Sequence, residues 1–89
     1  MKAVITVIGK DTVGIIAEVS GILYRNNINI LDISQTIVQG YFNMMMIVDI
    51  SDKKENFVEL TEELAKLGEE LGVVIKLQHE EIFNAMHRI

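Results

Sequence analysis

The 89 residues allow one domain, and 13 acidic against 8 basic residues leave a net charge of −5 with no cysteine. A chain this short buries only about 60–65% of the surface it exposes when unfolded, and without disulfides or thiolate metal sites self-association is the remaining way to enlarge its core. The acidic balance, with no Lys/Arg cluster beyond Lys53-Lys54, argues against nucleic acid, and the longest apolar run, Met44 to Val48, is far short of a membrane span.

The opening, MKAVITVIGKD, runs directly into a strand pattern with no cleavage site, which favours the cytoplasm. Lys2 to Ile8 is apolar and β-branched apart from Thr6, as suits a buried central strand. After the break at Gly9 to Thr12 the period changes. Ile15, Ile16, Val19, Ile22 and Leu23 share one face of a helix, with Asp11 or Thr12 available as its cap and Gly14 on its first turn. Asn26-Asn27 closes it.

Ile28 to Val38 reads as a second strand whose alternation shifts phase near Ile30-Leu31, the mark of a β-bulge. Its polar middle, Ser34-Gln35-Thr36, suits a sheet edge. Gln39-Gly40 makes a tight turn into a third strand, Tyr41 to Ile50. Phe57, Leu60, Leu64, Leu67 and Leu71 mark a second helix closed by Gly72, and Val73 to Gln78 is a fourth strand. The order βαββαβ with right-handed crossovers predicts a ferredoxin-like α+β domain over residues 1–79, a four-stranded antiparallel sheet with both helices on one face. Residues 80–89 follow as a short amphipathic helix, with Ile82, Phe83, Met86 and Ile89 on one side.

Alternation assigns Phe42, Met44, Met46, Val48, Ile50, Val73, Ile75 and Leu77 to the helix-facing side of the sheet. The opposite face is mixed, with Val4, Ile8, Met45, Ile47 and Val74 near its middle, and the tail from Glu80 is expected to cover an apolar sheet surface, its own or a partner's.

The sequence supplies little for catalysis. His79 and His87 stand too far apart to share a metal, and the cluster His79-Glu80-Glu81 reads as solvated charge at a strand end. Met44 and Met46 point opposite to Met45, so the three methionines cannot converge on a soft metal. No catalytic residue, metal site or cofactor is expected. The informative segment is Gly9-Lys10-Asp11-Thr12-Val13-Gly14-Ile15, which joins a central strand to a helix N-terminus. Free N–H groups there favour a carboxylate, and Asp11 offers an acceptor for an ammonium group, so the pair suits a free amino acid. Read structurally instead, Asp11 is an N-cap and Gly14 a packing contact.

That segment, the Asn27-Ile28-Asn29-Ile30 entry to the second strand and the βαββαβ order together resemble an ACT domain, over about residues 2 to 78. Asp11, Gly14, Ile15, Asn29 and Ile30 match its pattern, while Val13 stands where Pro is usual and Asn27 where Gly is usual. The tail is similar to that of the small stand-alone ACT proteins of bacteria and archaea. The resemblance implies a non-catalytic regulatory module that binds an amino acid or similar small molecule at a homodimer interface and acts on a metabolic enzyme or regulator. It also implies a site formed by Asp11, Thr12, Val13, Gly14 and Ile15 on one side and Asn29 and Ile30 from the partner on the other. The alternative within the same fold is a dimerisation or protein-interaction module without a ligand. An acylphosphatase-like enzyme is disfavoured because the first loop carries Lys10 rather than an arginine, with Arg25 at the far end of the helix.

Overall fold

The computed structural model describes residues 2–50 and 57–80. Six elements follow in the order β1 (Lys2–Lys10), α1 (Ile15–Arg25), β2 (Asn29–Val38), β3 (Tyr41–Asp49), α2 (Phe57–Leu71) and β4 (Val73–His79). They build the expected ferredoxin-like fold, a sheet of order β2-β3-β1-β4 with antiparallel neighbours throughout. From residue 81 onward the expected C-terminal helix lies outside the described residues.

β1 is the central strand, paired to β3 from Lys2↔Asp49 to Lys10↔Tyr41 and to β4 from Ala3↔His79 to Gly9↔Val73. Its helix-facing residues Ala3, Ile5 and Val7 are fully buried, together with Met44, Met46 and Val48 of β3. α1 contributes Ile15, Val19, Ile22 and Leu23 to the same core, and α2 contributes Leu60, Leu64 and Leu67. Ile16, expected on the buried face of α1, is exposed. At 100° per residue it has turned past the edge of the stripe that Ile15, Val19 and Ile22 define.

The turns follow their residues. α1 ends in a Schellman arrangement: the Ile28 amide donates to the Leu23 carbonyl at 2.9 Å and the Asn27 amide to the Tyr24 carbonyl at 3.0 Å. Asn27 takes the required left-handed conformation with φ 59°. Gln39 and Gly40 both have positive φ, as a two-residue primed hairpin turn demands. The register of β2 on β3 slips between Ile30 and Asp32, so Leu31 is the bulged residue. β2 is a sheet edge, as its polar middle indicated. β4 runs one residue further than expected, to His79, whose ring stacks on Phe57 at the start of α2 with centroids 4.4 Å apart.

Two helical glycines are set in opposite environments. A Cβ on Gly68 would lie 2.7 Å from the Val73 carbonyl oxygen, because α2 closes directly onto β4 there; a Cβ on Gly21 would meet only the far end of Arg25, at 3.4 Å. Alanine is intrinsically favoured over glycine in a helix by about 0.8–1.0 kcal/mol. Gly21→Ala should therefore raise stability by up to about 1 kcal/mol, whereas Gly68→Ala should lower it by about 1–3 kcal/mol through overpacking against backbone. Urea denaturation midpoints of the two variants check the opposite signs.

Candidate functional site

The segment joining β1 to α1 leaves the sheet at the end where β2 turns into β3. Lys10 pairs with Tyr41, and the Asp11 amide donates to the Gly40 carbonyl at 2.8 Å. The hairpin turn Gln39-Gly40 thus forms one wall beside Asp11, Thr12 and Val13, all of which are exposed. That neighbourhood was missed in the sequence. It follows from the antiparallel pairing of β1 with β3, which sets the end of one strand beside the start of the other.

Gly14, not Asp11 or Thr12, is the N-cap of α1, with φ 93° and ψ 0°, and no side chain caps the helix. Gly14 consequently precedes the first helical turn rather than lying on it. Its carbonyl accepts the Glu18 amide at 2.8 Å, which leaves the Ile15, Ile16 and Ala17 N–H groups without intrahelical acceptors. The side chains of Asp11 and Thr12 are free of the capping duty expected for them because the chain enters the helix through a left-handed residue. That entry turns the preceding side chains outward. The positive φ requires glycine; crowding does not, since the nearest atom to an added Cβ would be Glu18 Cγ at 3.9 Å.

The remaining residues divide. Val13 is 96% exposed, unusual for an aliphatic side chain, while Ile15 is buried in the core and can offer only its backbone to the loop. Asn29 and Ile30 lie at the other end of the sheet, where Asn29 pairs with Asp49, the residue that pairs with Lys2 on its other side. Nine residue steps along β2 take the chain from Asn29 to Val38 at the hairpin, about 30 Å at strand rise. One protomer therefore does not bring Asn29 to Asp11. Asn29 instead lines a shallow depression of about 180 Å³ with Tyr24, Asn27 and Ile28. Among the described residues no cluster of His, Asp and Glu is arranged to hold a metal ion.

Residues 2–78 match the family model for the ACT domain. The chain belongs to the ACT domain family. A UPF0237 protein of Listeria monocytogenes is 60% identical over 89 residues, covering 100% of both chains, and UPF0237 relatives occur in bacteria and archaea alike. An ACT domain protein from Streptococcus pneumoniae superposes with a TM-score of 0.81 at 48% identity, covering 98% of each chain. The regulatory subunit of aspartate kinase from Thermus thermophilus, in a ligand-free form, aligns with a TM-score of 0.67 at 28% identity over 86% of this chain and 50% of its own. Family and fold agree in making residues 2–78 an ACT domain.

Because no side chain caps α1, Asp11→Ala should cost well under the roughly 1 kcal/mol that loss of an N-cap carries. Gly14→Ala should cost about 1 kcal/mol or more from left-handed strain alone. Parallel urea melts of the two variants measure both; a loss of about 1 kcal/mol in Asp11→Ala would return that residue to a capping role.

Proposed function

We propose that this protein is a homodimeric regulatory module that binds a free amino acid at the subunit interface. Asp11 to Gly14 and the first turn of α1 would supply one side of the site, and Asn29 and Ile30 of the partner subunit the other. The observation that carries this reading is the separation of Asp11 and Asn29 to opposite ends of an unpaired edge strand. A two-fold axis at the middle of β2 pairs that strand antiparallel with its copy. It then sets the start of one β2 beside the hairpin end of the other. Three strand spacings, about 15 Å, then separate β1 of one protomer from β2 of its partner, in place of about 30 Å along one chain. Two short polar side chains and a small zwitterion fill such a gap.

The edge itself supports association. Ile33 and Ile37 sit opposite Met46 and Phe42 on the helix-facing side of β2, yet each is about half exposed, at 45% and 50%. An unpaired apolar edge is a template for another strand. In the site the roles divide by charge. The free N–H groups of Ile15, Ile16 and Ala17 face a carboxylate, the Asp11 carboxylate meets an ammonium group, and exposed Val13 contacts the aliphatic part of the ligand. Such an arrangement holds a ligand and reads its charges without making or breaking a bond. It suits a cytoplasmic sensor that passes its state to a metabolic enzyme or regulator.

Thermal shift against the amino acids tests the reading directly. A ligand at 100 times its Kd adds about 2.7 kcal/mol, a rise of about 10 °C or more for a domain of this size. Asp11→Ala should weaken that ligand by about 10- to 100-fold through loss of a charged hydrogen bond. An unchanged affinity in this variant would remove Asp11 from the site.

Sedimentation should give twice the 10.0 kDa protomer mass, and Ile37→Lys, which places a charge on the pairing edge, should shift the protein toward monomer. If no amino acid raises the melting temperature while the dimer persists, the protein is a dimerisation module without a ligand.

A further inference from the structure

Two asparagine side chains at the end of α1 have no task in the fold. Asn26, Asn27 and Asn29 stand close in the chain, yet only the Asn26 side chain is engaged: its Nδ2 donates to the Ile22 carbonyl at 2.8 Å and to Glu63 Oε1 at 3.3 Å. The carboxamides of Asn27 and Asn29 are exposed and, among the described residues, make no hydrogen bond. Asn27 closes α1 with φ 59°, a conformation that glycine adopts more readily. The closure therefore needs the backbone of residue 27 and not its amide. The Tyr24 side chain is also left out of the core, at 85% exposure on the last turn of the helix. These three side chains line the depression of about 180 Å³, whose fourth lining residue, Ile28, is buried.

The depression lies on the flank of the protein where β2 is unpaired. α2 packs on β4 and α1 touches β2, so the two helices sit over opposite halves of the sheet. Arg25 and Asn26 reach Glu63 of α2 and mark the inner flank of α1. At about 100° per residue, Ile16 and Ser20 turn to the outer flank, toward β2, and Tyr24 follows them along it. The proposed two-fold axis pairs β2 antiparallel with its copy, so it stands normal to the sheet and keeps both helix layers on one side. The end of α1 in one subunit then faces the β1–α1 loop of the other, which carries Asp11 and Val13.

We infer that Tyr24, Asn27 and Asn29 form the side-chain pocket of the amino-acid site and select a ligand whose side chain is uncharged and both donates and accepts hydrogen bonds, a carboxamide or a hydroxyl. This inference rests on the dimeric site proposed above. Asp11 and the first-turn N–H groups of one subunit hold the ammonium and carboxylate of the ligand, which leaves its side chain directed at the other subunit. There every polar group of the lining is neutral and carries both a donor and an acceptor. A ligand carboxylate offers acceptors only, and it enters a domain of net charge −5. An ammonium group offers donors only. An aliphatic end strips water from the two carboxamides and returns no hydrogen bond. The 180 Å³ of the depression is room for roughly six waters, enough for a carboxamide and its methylene stem.

Calorimetry on the full chain with near-isosteric amino acids tests the pocket. The sets are threonine against valine, asparagine against aspartate and leucine, and glutamine against glutamate and methionine. In the set that binds best, the neutral polar member should bind about tenfold or more tighter than the others, the worth of one or two hydrogen bonds. A charged or aliphatic member that binds equally well would overturn the inference. Asn27→Gly keeps the left-handed closure and should weaken the polar ligand about tenfold while leaving its aliphatic counterpart unchanged. The chain has no tryptophan and two tyrosines, so in Tyr41→Phe the emission comes from Tyr24 and should change on saturation with ligand. Affinity lost in Asp11→Ala but retained in Asn27→Gly and Tyr24→Ala, with Tyr24 emission unmoved, would overturn the pocket and leave the amino-acid site standing. Absence of binding by every amino acid would overturn both.

Discussion

β1 is hydrogen-bonded along both of its edges, and this double pairing places every other part of the protein. The strand sits between β3 and β4, with Ala3, Ile5 and Val7 sealed under the helices. Burial of that strip removes apolar surface from water at roughly 25 cal/mol per Å². The pairing also demands close fit. A Cβ on Gly9 would come within 2.7 Å of Val73 Cγ1 and 2.9 Å of the Val73 Cα, so β4 lies against β1 at a distance only glycine tolerates. With both edges of β1 occupied, β2 cannot join it and pairs with the outer side of β3.

The position of β2 has a functional consequence. As an edge it keeps one row of backbone groups unpaired, and the bulge at Leu31 turns the strand so that Ile33 and Ile37 face the helix layer beyond the reach of full burial. The same topology sends the start of β2 to one end of the sheet and the β1–α1 loop to the other. A site that needs both ends is incomplete within one chain. In the proposed assembly a second copy along β2 both enlarges the small core and completes the site.

Within the loop, backbone geometry governs the chemistry. Gly14 enters α1 in a left-handed conformation and leaves the first-turn N–H groups uncapped. Ile15 then anchors the helix in the core while Val13 projects into solvent. Three adjacent residues therefore divide the work: one turns the chain, one fixes it and one is presented outward. The hydrogen bond from the Asp11 amide to the Gly40 carbonyl ties the loop to the hairpin.

Much of this was written locally in the chain. The two periodicities of apolar residues identified four strands and two helices, and the phase slip at Ile30-Leu31 located the bulge before any pairing partner was known. Asn27, Gly40 and Gly72 marked the left-handed closures because few residues accept positive φ cheaply. The resemblance carried by Asp11, Gly14, Ile15, Asn29 and Ile30 gave the family. Other features depended on partners distant in sequence. The cap passed from Asp11 and Thr12 to Gly14, the Gln39-Gly40 turn came to lie beside Asp11, and Gly68 met the Val73 carbonyl. A residue's own preferences set its φ and ψ and the face it turns to the sheet, and these repeat along the chain where they can be read. What stands opposite that face is set by strand order and register, which bring together residues whose patterns carry no record of one another.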